Sequence, residues 1–323
     1  MHLVGGLVVS QQTVAVRQAA PRRRFLGSTL HWREVADGYL FMSPWLVGFL
    51  LFTAGPMIAS LVLSFMRYEI VVAPEWVGTR NYQRLLIDSL FYKSLSNTAY
   101  YTFLAVPLQL SVALMLALMM NLKLRFINVF RTMFYMPSIV PTVASVLLWM
   151  WIFNPEFGLA NSLLRRVGMS SQAWFYDPKM VKNTFIIMSL WGVGGQMIIF
   201  LAGLQGIPEH LYEAAKIDGA NAVAMFRKIT LPMLSPTLFF NLIMGIIGSF
   251  QVFTASFIAT NGGPRDESLF YVLYLYRNAW EFWRMGYACT MAWVLFLIIL
   301  TLTLIQFRLA DVWVYYEGET PRA

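Results

Sequence analysis

Six long apolar runs, at about residues 39–65, 97–120, 132–153, 184–206, 236–260 and 286–307, limit what this chain can fold into. Each is close to the roughly 20 residues that a helix needs to cross a ~30 Å hydrocarbon core. A backbone in lipid must pair its polar groups internally, so only helices or closed barrels span. These runs are too long and too continuous for barrel strands. Composition agrees, with 58% hydrophobic and 12% charged residues and a mean hydropathy of +0.60. Soluble domains carry about 25% charged residues. The expected fold class is an all-α integral membrane protein with six transmembrane helices.

The organisation follows from the runs. Residues 1–38 read as a cytoplasmic tail, 39–66 as the first span and 67–96 as an external segment. Residues 97–310 read as a core of five spans and 311–323 as a second cytoplasmic tail. Pro44, Pro56, Pro107, Pro137 and Pro141 interrupt the first three spans. Neighbouring helices must re-satisfy the carbonyls these prolines free. Gly192, Gly194, Gly195 and Gly203 in the fourth span, with Gly245 and Gly248 in the fifth, let backbones approach closely. A packed bundle is expected. The single cysteine, Cys289, has no partner for a disulfide or metal site and reads as a small packing residue.

Short loops rich in Lys and Arg stay cytoplasmic. The cluster Arg17, Arg22, Arg23, Arg24 and the group Lys123, Arg125, Arg131 set both termini inside, although Arg80, Arg84, Arg165 and Arg166 weaken the bias. The net charge of +8 fits anionic lipid headgroups and requires no nucleic acid. Tyr68, Trp76, Tyr82, Trp174, Tyr176, Trp280 and Trp283 in the outer segments read as an interfacial aromatic belt.

The polar segment 207–232, between spans four and five, folds by local rules. Pro208 suits the first turn of a short helix. Leu211, Ala214, Ala215 and Ile217 fall near one face. Gly219 can end the helix in a left-handed conformation, Asn221 can cap a second helix over 221–228, and Pro232 is expected to stop it. The segment is either an ordinary amphipathic interfacial helix or a mechanical joint. A joint needs small residues that sink into a groove, here Ala214 and Ala215, and a polar anchor, here Glu213.

The spacing Glu213-Ala214-Ala215, three residues, Gly219, nine residues, Ile229-Thr230-Leu231-Pro232 resembles the cytoplasmic signature loop of the membrane subunits of bacterial ABC importers. In that family the loop docks on the ATPase, so the resemblance implies coupling roles for Glu213, Ala214, Ala215, Asp218, Gly219, Leu231 and Pro232. Segments 76–101, 130–164 and 260–308 are similar to the sugar-importing branch, with Thr260-Asn261-Gly262-Gly263-Pro264 and Gly286-Tyr287-Ala288 the most discriminating pieces. The likeness covers about residues 40–310 and is to the first permease of maltose, lactose and multiple-sugar transporters. It implies a type I importer permease fold with a cytoplasmic coupling helix. Its implied partners are a second permease in a heterodimer, two ATPase subunits and an extracytoplasmic sugar-binding protein, in a bacterial plasma or inner membrane. The chain lacks the extra N-terminal spans and large periplasmic insertion of the maltose-type permease, so a maltose-identical substrate does not follow.

A sugar path needs hydroxyl partners and aromatic faces inside the bundle. By resemblance, Trp191, Gly192, Gly195, Ser249 and Val252 align with sugar-contacting positions. Gln196, Gln251 and Phe253 add polarity and a ring beside them. Helical spacing sets Trp191 with Gly195 on one face and Ser249 with Phe253 on another, and leaves Gln251 apart. The same aromatics could equally be packing, and the amides could be interhelical hydrogen bonders.

Two other functions compete. A secondary carrier or channel for a neutral solute is disfavoured by six spans without deep charges. A membrane enzyme is disfavoured because His2, His31 and His210 lie far apart and outside the spans. No glycine-rich loop ending Gly-Lys-Ser/Thr occurs, so ATP and Mg are expected in the partner ATPase, with no cofactor or metal in this chain.

Overall fold

The computed structural model describes residues 32–122 and 124–315. The arginine cluster at 17–24, Lys123 and the last eight residues lie outside the described residues, as does most of the expected N-terminal tail. Two compact units divide the chain, Met1–Pro56 and Met57–Ala323. In the first, the helix Trp32–Phe49 runs into a wide turn, Leu50–Ala54, closed by the Gly55 amide on the Leu50 carbonyl. Within it Trp45 stacks on Phe49 with ring centroids 5.5 Å apart.

Four helical stretches are long and apolar enough to cross a membrane: Val35–Ser64, Ser89–Met120, Ser235–Ala259 and Met285–Trp313. Two further pairs of helices pass the same test together but bend between their members. Ile127–Ile139 and Thr142–Ile152 meet at 99°, and Val181–Gly192 and Gly194–Gln205 at 49°. The bend in the third span falls at Val140-Pro141, where the proline restricts its predecessor to extended backbone. The chain is thus an all-α membrane protein whose count reaches six when each bent pair is one span.

The second span is the axis of the Met57–Ala323 unit. It begins at Ser89, two turns earlier than its apolar run suggests, because Asp88 caps it by accepting from the Leu90 and Phe91 amides at 3.0 and 3.3 Å. Its residues enter all three buried clusters. Phe91 joins Phe250, Tyr271 and Met291, Tyr101 joins Val146 and Phe185, and Val106 joins Met197 and Leu234. Ala105, Ala113 and Ala117 are fully buried, so neighbouring helices approach it along a small-residue side. Elsewhere Gly194 plays the same part. A Cβ there would collide with the Phe134 carbonyl oxygen and lie 2.8 Å from Tyr135 Cα, so the third and fourth spans touch backbone to backbone.

One expectation about the outer segments needs correction. Trp174 belongs to no interfacial belt; it is buried, 4.5 Å from the Phe153 ring, with its indole N–H on Asn161 Oδ1 at 2.9 Å. Asn161 also binds the Pro155 and Gln172 carbonyls and so closes the 154–174 segment into a packed unit. Period counting cannot foresee a partner thirteen residues away.

Candidate functional site

Two places concentrate the residues singled out above. At one end of the bundle stands the helix Glu209–Ile217, with Pro208 as its cap residue rather than in its first turn. Gly219 has φ +78°, and the amides of Gly219 and Ala220 donate to the carbonyls of Lys216 (3.1 Å) and Ala215 (2.9 Å). That pair of bonds satisfies the last carbonyls of the helix. Asn221 then accepts from the Ala224 amide at 2.8 Å, as a helix cap.

The face of this helix differs from the expected one. Leu211 and Tyr212 pack on the core of the second, fourth and fifth spans, and Ala215 is half-buried beside them. His210, Glu213, Ala214 and Ile217 form an exposed ridge, with Ile217 87% exposed. Ile217 thus lies away from Leu211, because six residues turn a helix through about 240°. Pro232 does not stop the helical path either. A wide turn Phe226–Thr230 passes through Leu231–Met233 into the fifth span at Ser235, with Pro232 in the first turn of its short helix, where its missing N–H is not needed. Leu231 is exposed.

Tyr212 links the two arms of this joint. Its hydroxyl lies 3.0 Å from Thr230 Oγ1, at the approach to the fifth span. Beside it a cleft of about 770 Å³ is lined by Asn121, Arg131, Tyr212, Glu213 and Lys216. Arg131 holds one wall by donating from Nε and Nη2 to the Met120 carbonyl, at 3.2 and 2.8 Å.

The second place lies where the fourth and fifth spans break. The fourth changes to a tight turn at Leu190–Gly192 and restarts at Gly194. The fifth stops at Phe250 and resumes at Thr254, with Phe253 at φ −138°, ψ −64°. Neither expected face survives, since each pair straddles a break. All eight expected path residues nevertheless lie at the two breaks. Gly192 and Gly195 open onto space where a Cβ would meet nothing. Trp191 stands edge-on to Trp149 at 6.2 Å, and Phe253 stacks on Phe257 at 5.2 Å and leans on Tyr276 at 5.1 Å. Gln251 is exposed, and Val252 packs on the Phe185 cluster.

The polar groups at the breaks differ in availability. Ser249 is buried and its hydroxyl donates to the Ile246 carbonyl of its own helix at 3.0 Å. Gln196 Oε1 is buried and accepts no hydrogen bond among the described residues. Broken backbone at membrane depth is tolerated only inside protein or along a wet cavity.

At the opposite end a network of long-range pairs fixes the 261–270 loop. Glu267 accepts from Lys93 at 2.5 Å and Lys182 at 2.7 Å. Both ammonium groups, Lys182 foremost, hold the Glu267 carboxyl below its ordinary range against a smaller opposing effect of burial. Asn97 Nδ2 binds the Asp266 and Leu269 carbonyls at 2.7 and 3.2 Å. Burial raises the Asp88 carboxyl, but the Tyr274 and Tyr287 hydroxyls and the Phe91 and Leu90 amides outweigh it and leave it lowered. Burial and Asp88 in turn push the Tyr274 phenol up to about 12.

Residues 109–313 match the family of binding-protein-dependent transport system inner membrane components. The chain belongs to that family. This permease is 43% identical over 287 residues to the probable ABC transporter permease YesP of Bacillus subtilis, covering 87% of this chain and 93% of the relative. The arabinooligosaccharides transport permease AraP of the same organism is 35% identical over 300 residues, 89% and 93% of the two chains. The lactose transport permease LacF of Rhizobium radiobacter is 35% identical over 281 residues, 85% and 94%. In fold, the permease matches a chain of a bacterial ABC transporter that imports the acidic polysaccharide alginate. The TM-score is 0.76 at 22% identity, covering 87% of this chain and 98% of that one. Membership makes the chain a component of a transport system.

Proposed function

We propose that the permease forms half of the translocation path of an ATP-driven carbohydrate importer. The observation that carries this reading is the exposed ridge His210, Glu213, Ala214, Ile217, held between a left-handed glycine and the fifth span. An apolar side chain as exposed as Ile217, beside alanines and a carboxylate, suits a partner's groove better than water. That partner is an ATPase subunit, which binds ATP and Mg. The linkage Tyr212–Thr230 then passes motion of the ridge to the fifth span. Asp218, Gly219, Leu231 and Pro232 shape the joint.

Carbohydrate as cargo is supported by the named substrates of the relatives, arabinooligosaccharides and lactose. It is also supported by the broken fourth and fifth spans, the usual place for a midplane site. Gln196 supplies the free acceptor, Trp191 and Phe253 the rings, and Gly192 and Gly195 the room. Ser249, Val252 and Gln251 border it. A second permease completes the path as a heterodimer, two ATPase subunits drive it and an extracytoplasmic binding protein delivers the sugar. The alginate transporter is known in complex with a saccharide-bound periplasmic protein. Both termini and the 209–217 helix then face the cytoplasm.

The assembled complex, reconstituted in vesicles, tests this. ATP hydrolysis should rise several-fold when the binding protein carries its carbohydrate. Hydrolysis indifferent to every carbohydrate-loaded binding protein would overturn the reading.

A further inference from the structure

We propose that an arginine-lined cavity at the end of the bundle remote from the Glu209–Ile217 helix binds the phosphate of an anionic phospholipid. The cavity measures about 410 Å³, within the roughly 300–1,000 Å³ of small-ligand sites. Arg67, Arg80, Arg84 and Arg284 line it, against one carboxylate, Glu69. Arg67 is paired with Glu75 at 2.6 Å. Arg80, Arg84 and Arg284 form no ion pair among the described residues. Arg84 lies over the Tyr287 ring at 4.9 Å, and Arg284 lies 5.7 Å from the Phe282 ring. Stacking of this kind orients a guanidinium while leaving its N–H donors free, and that fork matches phosphate geometry.

The cavity is built on a fixed floor. Asn81 Nδ2 donates to the Ser64 and Met66 carbonyls, both at 2.9 Å, and the Gly286 amide donates to the Tyr68 carbonyl at 3.2 Å. A Cβ at Gly286 would collide with the Met66 carbonyl oxygen, so the two backbones meet there directly. Arg80, Arg84 and Arg284, without ion-pair partners among the described residues, favour an anion there.

Position identifies the anion's source. The cavity joins the residues just after Ser64, where the first span ends, to the residues that open the last span at Met285. That is headgroup level. The segments that supply its lining also carry exposed apolar side chains: Val71 is 80% exposed, Trp76 62%, Leu86 65% and Ile87 85%. A soluble anion accounts for the arginines but not for these neighbours in sequence. A phospholipid accounts for both, with phosphate on the arginines and acyl chains along the apolar side chains. In the topology proposed above these arginines face outward, so the positive-inside bias does not explain them.

Thermal unfolding of the assembled transporter in detergent provides the test, with native mass spectrometry reading retained lipid. Phosphatidylglycerol should raise Tm and remain bound, whereas phosphatidylcholine and inorganic phosphate should not. Arg80→Gln with Arg284→Gln should cut phosphatidylglycerol retention about tenfold or more while basal ATP hydrolysis persists. Arg80→Lys with Arg284→Lys should keep part of it, since charge stays and the fork is lost. Three results would overturn the proposal. One is a wild-type complex with no preference for phosphatidylglycerol, which needs no variant to read. Another is equal retention by the wild-type and Gln forms. The last is equal protection by inorganic phosphate or an oligogalacturonate, which would make the cavity a soluble-anion site.

Discussion

The 209–233 joint and the breaks in the fourth and fifth spans are both interruptions of helix, yet they are made in opposite ways. The joint is built from neighbours in sequence. Gly219 closes on Lys216, Ala220 on Ala215, and Ala224 on Asn221. The breaks are shaped by distant parts: Trp191 meets Trp149, Gly194 meets Phe134, and Phe253 meets Tyr276. A locally specified element tolerates change around it but not within it. A tertiary element fails when its neighbours are pushed.

The largest expected effect follows at Gly194. Replacing it with Ala drives a Cβ into the Phe134 carbonyl and Tyr135 Cα, both backbone, so no rotamer change relieves the clash. Overpacking costs about 1–3 kcal/mol and sometimes more. The yield of assembled permease should fall sharply and Tm with it. Gly195→Ala, one residue on, meets nothing and should assemble normally. If the two variants behave alike in yield and Tm, the close contact between the third and fourth spans is not what sets the break.

Next comes the joint. Gly219→Pro fixes φ near −65° where the chain needs +78°, and removes the amide that donates to Lys216. Transport should be lost while the spans remain inserted. Gly219→Ala incurs only the left-handed penalty, about 1–2 kcal/mol, and should lower transport partially. Glu213→Ala should uncouple without destabilising, because the side chain is exposed. Uptake and ATPase affinity like wild type in Gly219→Pro and Glu213→Ala together would remove the joint from the coupling route.

The same contrast explains what was legible in the sequence. Gly219, Asn221 and the general location of the apolar spans follow from residue types and spacing that act within a few positions, although the second span begins two turns before its apolar run and two others bend. Ile217 was misplaced because 3–4 spacing was stretched to six residues. The Pro232 stop failed because a proline early in a helix meets no preceding carbonyl that needs its N–H. Trp174 and the Lys93–Glu267–Lys182 network depend on pairings from thirteen to 174 residues apart, which no local pattern encodes. The path residues are intermediate. Their location at the breaks was foreseeable from glycines and polar residues in apolar runs, but their faces were not, because a periodicity argument assumes the helix continues.

The smallest expected effect discriminates most sharply between path and packing. Gln196 Oε1 is buried without a donor, whereas Ser249 already has its hydroxyl proton on the Ile246 carbonyl. An unmet acceptor in an apolar bundle costs free energy, and removing it relieves that cost. Gln196→Leu should therefore leave Tm unchanged or slightly higher. If the amide contacts sugar, the same change should weaken carbohydrate binding by the worth of one hydrogen bond, about 1 kcal/mol, or roughly fivefold. Equilibrium dialysis of labelled carbohydrate against the assembled transporter, with the binding protein left out, reads that loss. Ser249→Ala should change affinity less, since its hydroxyl can only accept. A fall in Tm with unaltered affinity in Gln196→Leu would make the amide an interhelical hydrogen bonder. The breaks would then be packing devices, and the path would run elsewhere in the bundle.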